Sequence, residues 1–395
     1  MNTIKQIIAV TWLNLRNLPQ RLASSAVAVI GVGAVVLVFA AVLSMAAGLE
    51  RTMMSAGTDD TAVIMRRGST SELNSGLSNE QTLIVANAPG VLKDGDKTVM
   101  SAELYVIADV KKQSTQSDAN VPFRGIQAGA FDVRKDVRIA KGRMFEEGKN
   151  EIVVGEAAQS EFVGLGVGET IRFGQTEWAI VGTFDAGGSV SESELWTDVR
   201  VLQAAYRRGN SFQSVRVRLE NAESLGVLDQ ALAEDPRIDV DVMSERDYYS
   251  SQSQGLVTFI KRIGYPLTIL MAIGAIFGAL NSMYSSVSVR GKEIATLRAL
   301  GFGPVAVLCS TVIESVMLAL AGGVLGGLLA FLVFNGFQVS TLNGPSFSQV
   351  VFDFAVTPEL LGQGMRAALL IGVVGGLFPA IRAARLPVAT ALREL

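Results

Sequence analysis

The stretch "LASSAVAVIGVGAVVLVFAAVLSMAAGL", residues 22–49, runs for 28 positions without a charge, and its reading decides the fold. A helix crosses the hydrocarbon core of a bilayer with about 20 apolar residues, so this run is long enough to span. Ser44-Met45-Ala46 has the small residues of a cleavage site. The apolar core of a secretory signal is only about 7–15 residues, however, so an uncleaved anchor is expected. Three further runs follow. Ile263–Val289 is uncharged for 27 residues, Ala299–Phe352 carries only Glu314, and Ala367–Ile381 lies between Arg366 and Arg382 and extends back towards Pro358. Four spans are therefore predicted in a chain of 395 residues, 18% of them charged, with a mean hydropathy of +0.37.

Lys and Arg set the orientation. The first 21 residues carry Lys5, Arg16 and Arg21 with no acid. The connector between the second and third spans carries Arg290, Lys292 and Arg298, and the tail Arg382, Arg385 and Arg393, whereas Asn335–Thr357 has none. The positive-inside rule places both termini and the 290–303 segment in the cytoplasm; Lys261 and Arg262, at the outer edge of the second span, run against it. The region between the first two spans is then outside. Residues 50–262 hold 24 Lys and Arg against 32 Asp and Glu, a net −8, and the remainder 10 against 5, a net +5. An acidic external domain argues against nucleic acid as a partner. Cys309 is alone, which excludes an intrachain disulfide, and the absence of His excludes histidine-based triads and His-ligated metal. No G-x-x-x-x-G-K-[ST] is present, so these residues hold no Walker-type phosphate loop.

The expected fold class is an α-helical membrane protein, four spans with a large mixed α/β extracytoplasmic domain between the first and second. Residues 1–21 read as a cytoplasmic amphipathic helix: Ile4, Ile7, Ile8, Thr11 and Leu15 form one stripe, Trp12 lies near the interface and Pro19 breaks the helix. Residues 22–49 are the first span and 50–243 the external domain. Its strand candidates are 61–65, 103–110, 151–155, 170–173 and 178–184, joined by the alternating Val215, Val217, Leu219 and Ile238, Val240, Val242. Helical pieces fall near 156–163, 198–207 and 222–234. "STSELNSGLSN" (69–79), "KKQSTQSDAN" (111–120) and "DAGGSVSESE" (185–194) read as mobile loops, the last an exposed partner contact. Ser244 and Asp247 form a capping-box-like pair, opening a stalk helix of about 25 Å that continues into the second span. Residues 244–289 are thus stalk plus span. The segment 290–303 is a cytoplasmic coupling helix, 304–334 the third span, 335–357 an external connector, 358–381 the fourth span and 382–395 a tail.

The short charged segment "VRGKEIATLRALGFG", residues 289–303, is set between two spans. Ile294, Leu297 and Leu300 recur every third residue, Lys292, Glu293, Thr296 and Arg298 take other faces, and Gly301 and Gly303-Pro304 stop it. Two turns are too few to stand alone, so the helix needs a surface to pack on.

This segment resembles the coupling segment of the MacB/FtsX-like family of ABC transporter permeases, roughly R-x-x-E-I-x-x-L-R-A-L-G. Arg290, Glu293, Ile294, Leu297, Arg298, Ala299, Leu300 and Gly301 fit that pattern. The closing "FPAIRAARLPVATALREL" matches the family's P-A-x-R-A-A-R…A-L-R through Pro379, Ala380, Arg382, Ala383, Ala384, Arg385 and Ala391-Leu392-Arg393, with Pro387 one residue early. "IESVMLALAGGVLGGLLA" resembles its third span, and "GRMFEEGKNEIVVGEAAQSEFVGLGVGETIRFG" more loosely its external core. The resemblance implies a non-catalytic permease of the bacterial inner membrane, paired with a second copy or a paralogue. Two copies of a separate cytoplasmic ATPase, which bind ATP and Mg, would drive movement of the external domain, a mechanism called mechanotransmission. Arg290, Glu293, Ile294, Leu297, Arg298, Leu300 and Gly301 would meet the ATPase, Glu293 and Arg298 through charge and the leucines and isoleucine by packing. A periplasmic adaptor, a lipoprotein or a hydrolase is a further partner, and membrane lipid surrounds the spans. Export of a periplasmic substrate, lipoprotein or lipid release, and control of a cell-wall hydrolase use the same parts. A membrane-anchored receptor or scaffold without an ATPase is the alternative of a different class.

Glu314 and Asn281 are polar groups at membrane depth; Arg366 or a backbone donor is a candidate partner for Glu314. Gly274/Gly278, Gly322/Gly326, Gly323/Gly327 and Gly372/Gly376 are small-xxx-small pairs, suited to a dimer interface or to packing within one chain. Arg66-Arg67 and Lys111-Lys112 read as solvated loop charge.

Overall fold

A computed structural model of the chain describes residues 3–17 and 22–388. Pro19, Arg21, Arg393 and the Ala391-Leu392-Arg393 match lie outside the described residues, as does the side chain of Leu15. The chain begins α1 (Thr3–Arg16), α2 (Leu22–Ser55), β1 (Thr61–Arg66), β2 (Leu77–Ser78), α3 (Asn79–Ala86), β3 (Lys93–Asp94) and β4 (Lys97–Thr98). It continues β5 (Met100–Lys111), β6 (Asp118–Ile126), α4 (Ala130–Val133), β7 (Arg138–Gly142), β8 (Glu151–Gly155), α5 (Glu156–Glu161), β9 (Thr170–Phe173) and β10 (Thr176–Asp185). Next come β11 (Leu195–Asp198), α6 (Val199–Ala205), β12 (Ser211–Phe212), β13 (Ser214–Arg218), α7 (Ser224–Glu234), β14 (Val240–Ser244) and α8 (Glu245–Val289). The remainder is α9 (Gly291–Ala299), α10 (Pro304–Phe334), the strands β15 (Gln338–Asn343) and β16 (Ser348–Asp353), and α11 (Pro358–Ala384). The helices α2, α8, α10 and α11 are long and apolar enough to cross a membrane. Two compact units result: a helical one of residues 1–47, 259–337 and 354–395, and a sheet unit of 48–258 and 338–353.

The sheet unit is built on strands in the order β14-β1-β13-β5-β6-β11-β8-β10-β7, with β9 beside β10. Most pairs are antiparallel; β8 with β10 and β6 with β11 are parallel. Side chains alternate along a strand, so Val215 and Val217 share one face with Ala102, Leu104, Phe123 and Leu195, a continuous apolar core. Phe123 meets Trp178 edge-on at 4.9 Å. The intervening residues are not solvated. Arg216, Glu103 and Arg124 point to the other face and are fully buried there, so the alternation marks two interiors.

Three expectations change. "STSELNSGLSN" contains a turn of 3-10 helix (Glu72–Asn74), the strand β2 and the first residue of α3, and it buries Glu72. In "DAGGSVSESE", residues 189–194 are buried, because the backbone N–H groups of Ala186 and Gly188 donate to Glu192 at 2.8 and 2.7 Å and fold the segment back. It is not an exposed partner contact. The 335–357 connector holds a hairpin, β15 paired antiparallel with β16 from Gln338↔Asp353 to Asn343↔Ser348. It packs into the sheet unit: Val351 joins the core, its N–H donates to Ser193 Oγ at 2.9 Å, and the Tyr105 hydroxyl donates to Ser348 Oγ at 2.9 Å.

In the helical unit, α2 and α10 touch backbone to backbone. A Cβ on Gly326 would lie 2.1 Å from the Gly33 carbonyl oxygen, and one on Gly322 would lie 2.4 Å from that of Val29. On the other side of α10, Gly372 and Gly376 of α11 fit against Ala319 and Ser315, and Ser315 Oγ donates to the Gly372 carbonyl at 2.8 Å. Gly323 sits against Ala368 and Met365, and Gly327 against Leu361. Small residues permit this approach between apolar helices, so these pairs serve packing within one chain. A Cβ on Gly274 or Gly278 of α8 would meet nothing within 4 Å beyond its own helix.

Candidate functional site

The site is α9 and its supports. The helix α8 ends at Val289, and Arg290 (φ −92°, ψ 7°) turns the chain into α9. At the far end Gly301 has φ +92°, a left-handed conformation that glycine adopts without steric cost. Its N–H bonds to the Arg298 carbonyl and that of Phe302 to the Leu297 carbonyl, both at 3.1 Å. These are the paired bonds of a Schellman cap.

Arg290 does not face outward. It is 5% exposed. Its Nη1 donates to Glu314 Oε2 at 2.8 Å, its Nη2 donates to Asn14 Oδ1 of α1, and its Nε lies 3.5 Å from Glu293 Oε2. Glu314 is 4% exposed, and its partner is Arg290 rather than Arg366. Contacts such as Gly376 with Ser315 and Gly327 with Leu361 run α11 antiparallel to α10. Arg366 is thereby placed two to three turns beyond Glu314, about 15 Å at 1.5 Å per residue. It bonds instead to the Gly362 carbonyl at 3.4 Å.

Ile294 is buried with Val287, Val307 and Ala383. Leu297 and Arg298 are half-buried, and Arg298 Nη1 donates to the Leu386 carbonyl at 2.6 Å. Leu300 is 72% exposed. The expected apolar edge of Ile294, Leu297 and Leu300 is therefore split. At 3.6 residues per turn a three-residue step falls about 60° short of a full circle, so two steps carry Leu300 round to the outside. The outward face is Lys292, Glu293, Thr296, Ala299 and Leu300. A further tie comes from α1, whose Gln6 accepts from the Gly303 N–H at 3.1 Å. In α1, Val10 and Asn14 are buried, and Ile4, Ile8 and Trp12 remain exposed. The predicted stripe thus divides, Ile7 and Thr11 being half-buried. Asn281 lies on the exposed side of α8, as does Gly274.

The sequence reading missed the roles of Asn14 and Gln6, and also a second polar centre inside the sheet unit. There Arg124 pairs bidentately with Glu194 (2.6 and 2.7 Å) and with Glu72 (2.7 and 2.9 Å). Arg134 holds Glu103 (2.7 and 2.8 Å). Arg216 reaches Glu72 at 2.7 Å, Glu103 at 2.8 Å and Glu245 at 3.1 Å. Burial opposes the ionisation of Glu103, but the guanidinium groups of Arg134, Arg216 and Arg124 outweigh it and hold the carboxyl at about 2. Glu72 is likewise held well below its usual value, Arg124 and Arg216 overcoming its burial. Burial wins at Glu245 and pushes it up against the pull of Arg216. The only signal in the sequence was charge at strand positions, which also fits a solvated face.

Residues 25–234 match the MacB-like periplasmic core domain, and residues 267–388 the FtsX-like permease C-terminal family. The chain is 25% identical over 339 residues to a macrolide export ATP-binding/permease protein MacB of Paracoccus denitrificans, covering 79% of this chain and 48% of that protein. With the MacB protein of Acinetobacter baylyi it shares 23% over 389 residues, 93% of this chain and 56% of the relative. The chain thus spans about half the length of these curated relatives. The crystal structure of the periplasmic region of MacB from Actinobacillus actinomycetemcomitans aligns over 49% of this chain and 92% of its own, with 15% identity and a TM-score of 0.37.

Proposed function

Because the chain belongs to the MacB/FtsX-like family of permeases, we propose that it converts ATP hydrolysis by a cytoplasmic ATPase into movement of its extracytoplasmic domain. ATP and Mg are held by that ATPase, outside these 395 residues. The observation that carries this reading is the build of α9: a nine-residue helix fixed from behind by the buried Arg290–Glu314 pair, with Glu293, Thr296 and Leu300 turned outward. A helix this short stands only on tertiary support, and its exposed leucine beside charged neighbours suits a groove in a soluble partner. Arg290 and Ile294 act from inside, holding the helix; Glu293, Leu297 and Leu300 make the contact. Movement of α9 passes into α8, a single helix of 45 residues, about 68 Å at 1.5 Å per residue. That helix starts where β14 ends, with no linker.

The membrane is the bacterial inner membrane, with α9 on the cytoplasmic side and a second copy or paralogue beside the chain. The relatives' names put export first among the possible tasks. The test is purification of the tagged chain from its native host in mild detergent, with ATPase assay and mass spectrometry, repeated with Glu293→Ala and Leu300→Asp. An ATP-binding protein should co-purify with the wild type, and Leu300→Asp should abolish its capture while leaving the yield of folded chain unchanged. Equal recovery of the ATPase with both variants overturns the reading.

A further inference from the structure

We infer that the buried ionic cluster of the sheet unit is the node that makes the sheet follow α8 and the 338–353 hairpin, with Arg216, Arg124 and Tyr105 as positioning residues. The inference rests on the coupling reading above. The chain passes between the two units four times, on α2, on α8 and on the two arms of the 338–353 hairpin. Within the sheet unit these segments converge on one cavity of about 30 Å³, where Met53 of α2, Tyr248 and Tyr249 of α8 and Ser348 of the hairpin meet Arg124 and Glu194 of the sheet.

Two of them, α8 and the hairpin, are bound there, and Met53 of α2 lines the cavity. From α8, Glu245 pairs with Arg216 at 3.1 Å and the Tyr249 hydroxyl accepts from Arg216 Nη2 at 3.2 Å. The hairpin is held through Ser348 by Tyr105, whose ring lies 4.9 Å under the Arg124 guanidinium. Behind α2, the chain at Gly57 passes so close to α8 that a Cβ would lie 2.5 Å from the Arg246 Cα.

Three guanidinium groups and four carboxylates packed this way give little stability over an apolar core of the same volume. What they give is geometry. Apolar faces slide past each other in small steps with little loss, as in shear motions. The bidentate pairs fix Arg124 and Arg134 within the sheet unit, and drawing Glu245 away from Arg216 leaves a buried cation with one partner fewer. When α8 or the hairpin is drawn along, the sheet moves with it.

The test uses the full chain assembled with its ATPase, in a Cys309→Ser background. Spin labels are placed at Asp96→Cys in the sheet unit and Ser288→Cys on α8, and their distance is measured with and without nucleotide. The double variant Arg216→Met/Glu245→Gln removes the pair that ties the cluster to α8 and leaves Arg124 and Arg134 paired; Tyr105→Phe removes the cluster's own bond to the hairpin and leaves those through Ser193 and Asn120. The melting temperature of Tyr105→Phe should stay near wild type, and that of the double variant, which takes Arg216 from Glu72 and Glu103, should fall without loss of the fold; in both the ATPase rate stays within about twofold while the nucleotide-dependent change in distance falls by about half or more. Should the double variant not fold, Tyr105→Phe decides. An undiminished change in a folded variant overturns the node. No change in the wild type overturns the coupling reading, and the node with it.

Discussion

The pair behind α9 makes a quantitative prediction. Arg290 and Glu314 approach to 2.8 Å with both side chains almost wholly buried. Two unit charges at that separation attract by about 6 kcal/mol at an effective dielectric constant of about 20, most of which offsets their desolvation. Removing one partner leaves the other charged and enclosed, at a cost of about 3–5 kcal/mol; replacing both with apolar groups of similar size is close to neutral. Arg290→Met and Glu314→Leu should therefore each destabilise the chain strongly, and the double variant far less, giving a coupling energy of about 3 kcal/mol or more in a double-mutant cycle. Denaturant titration in detergent, followed by the fluorescence of Trp12 on the helix that carries Asn14, gives the four free energies. Additive losses, with a coupling energy under about 0.5 kcal/mol, would refute the argument that the two charges are buried as a unit.

Gly326→Ala should cost about 1–3 kcal/mol through overpacking, since its Cβ would collide with the Gly33 carbonyl. Gly274→Ala, whose Cβ would meet nothing within 4 Å, should be neutral or stabilising by up to about 1 kcal/mol; thermal melts separate the two. Gly301→Ala forces a side chain into φ +92°, costing about 1–2 kcal/mol, and should lower ATPase capture by loosening the end of α9. Acid should weaken the sheet unit. Glu103, held at about 2, contributes about 3 kcal/mol above its unfolded value near 4.5, lost as pH falls from there towards 2. Glu245 is raised, so its contribution runs the other way, present at low pH and lost as pH rises through its folded value. Stability of the whole chain followed from pH 6 to pH 3 by the emission of Trp178 and Trp196 should fall, less steeply in Glu103→Gln.

The four long apolar helices were legible because a charge-free run of that length has few other uses, and the strands around Val215 and Val240 because alternation is a local property. The hairpin was hidden. Its strands are short, "QVSTLN" and "SQVVFD", and they continue an apolar stretch without a break in charge. The buried network was invisible for another reason. Arg216 beside Val215 and Val217 has the pattern of a half-solvated strand, and its carboxylates come from positions as distant as Glu72 and Glu245. The family motif includes Arg290 and Ile294, but a pattern of residues carries no direction, and both turn inward. The partner of Glu314 lay 24 residues back in the chain, across a turn whose geometry only the folded bundle supplies.

The split composition of the sheet unit also bears on how the chain is made. Residues 338–353 complete a core whose other parts end at residue 258, so Val351 and Ser348 arrive 90 or more residues after the strands that they cover. At ribosomal speeds of about 5–20 residues per second that interval lasts roughly 5–20 s. Throughout it the nascent domain stands open along β6 and around Ser193, and it closes only after the whole of α10 has been made and the hairpin delivered.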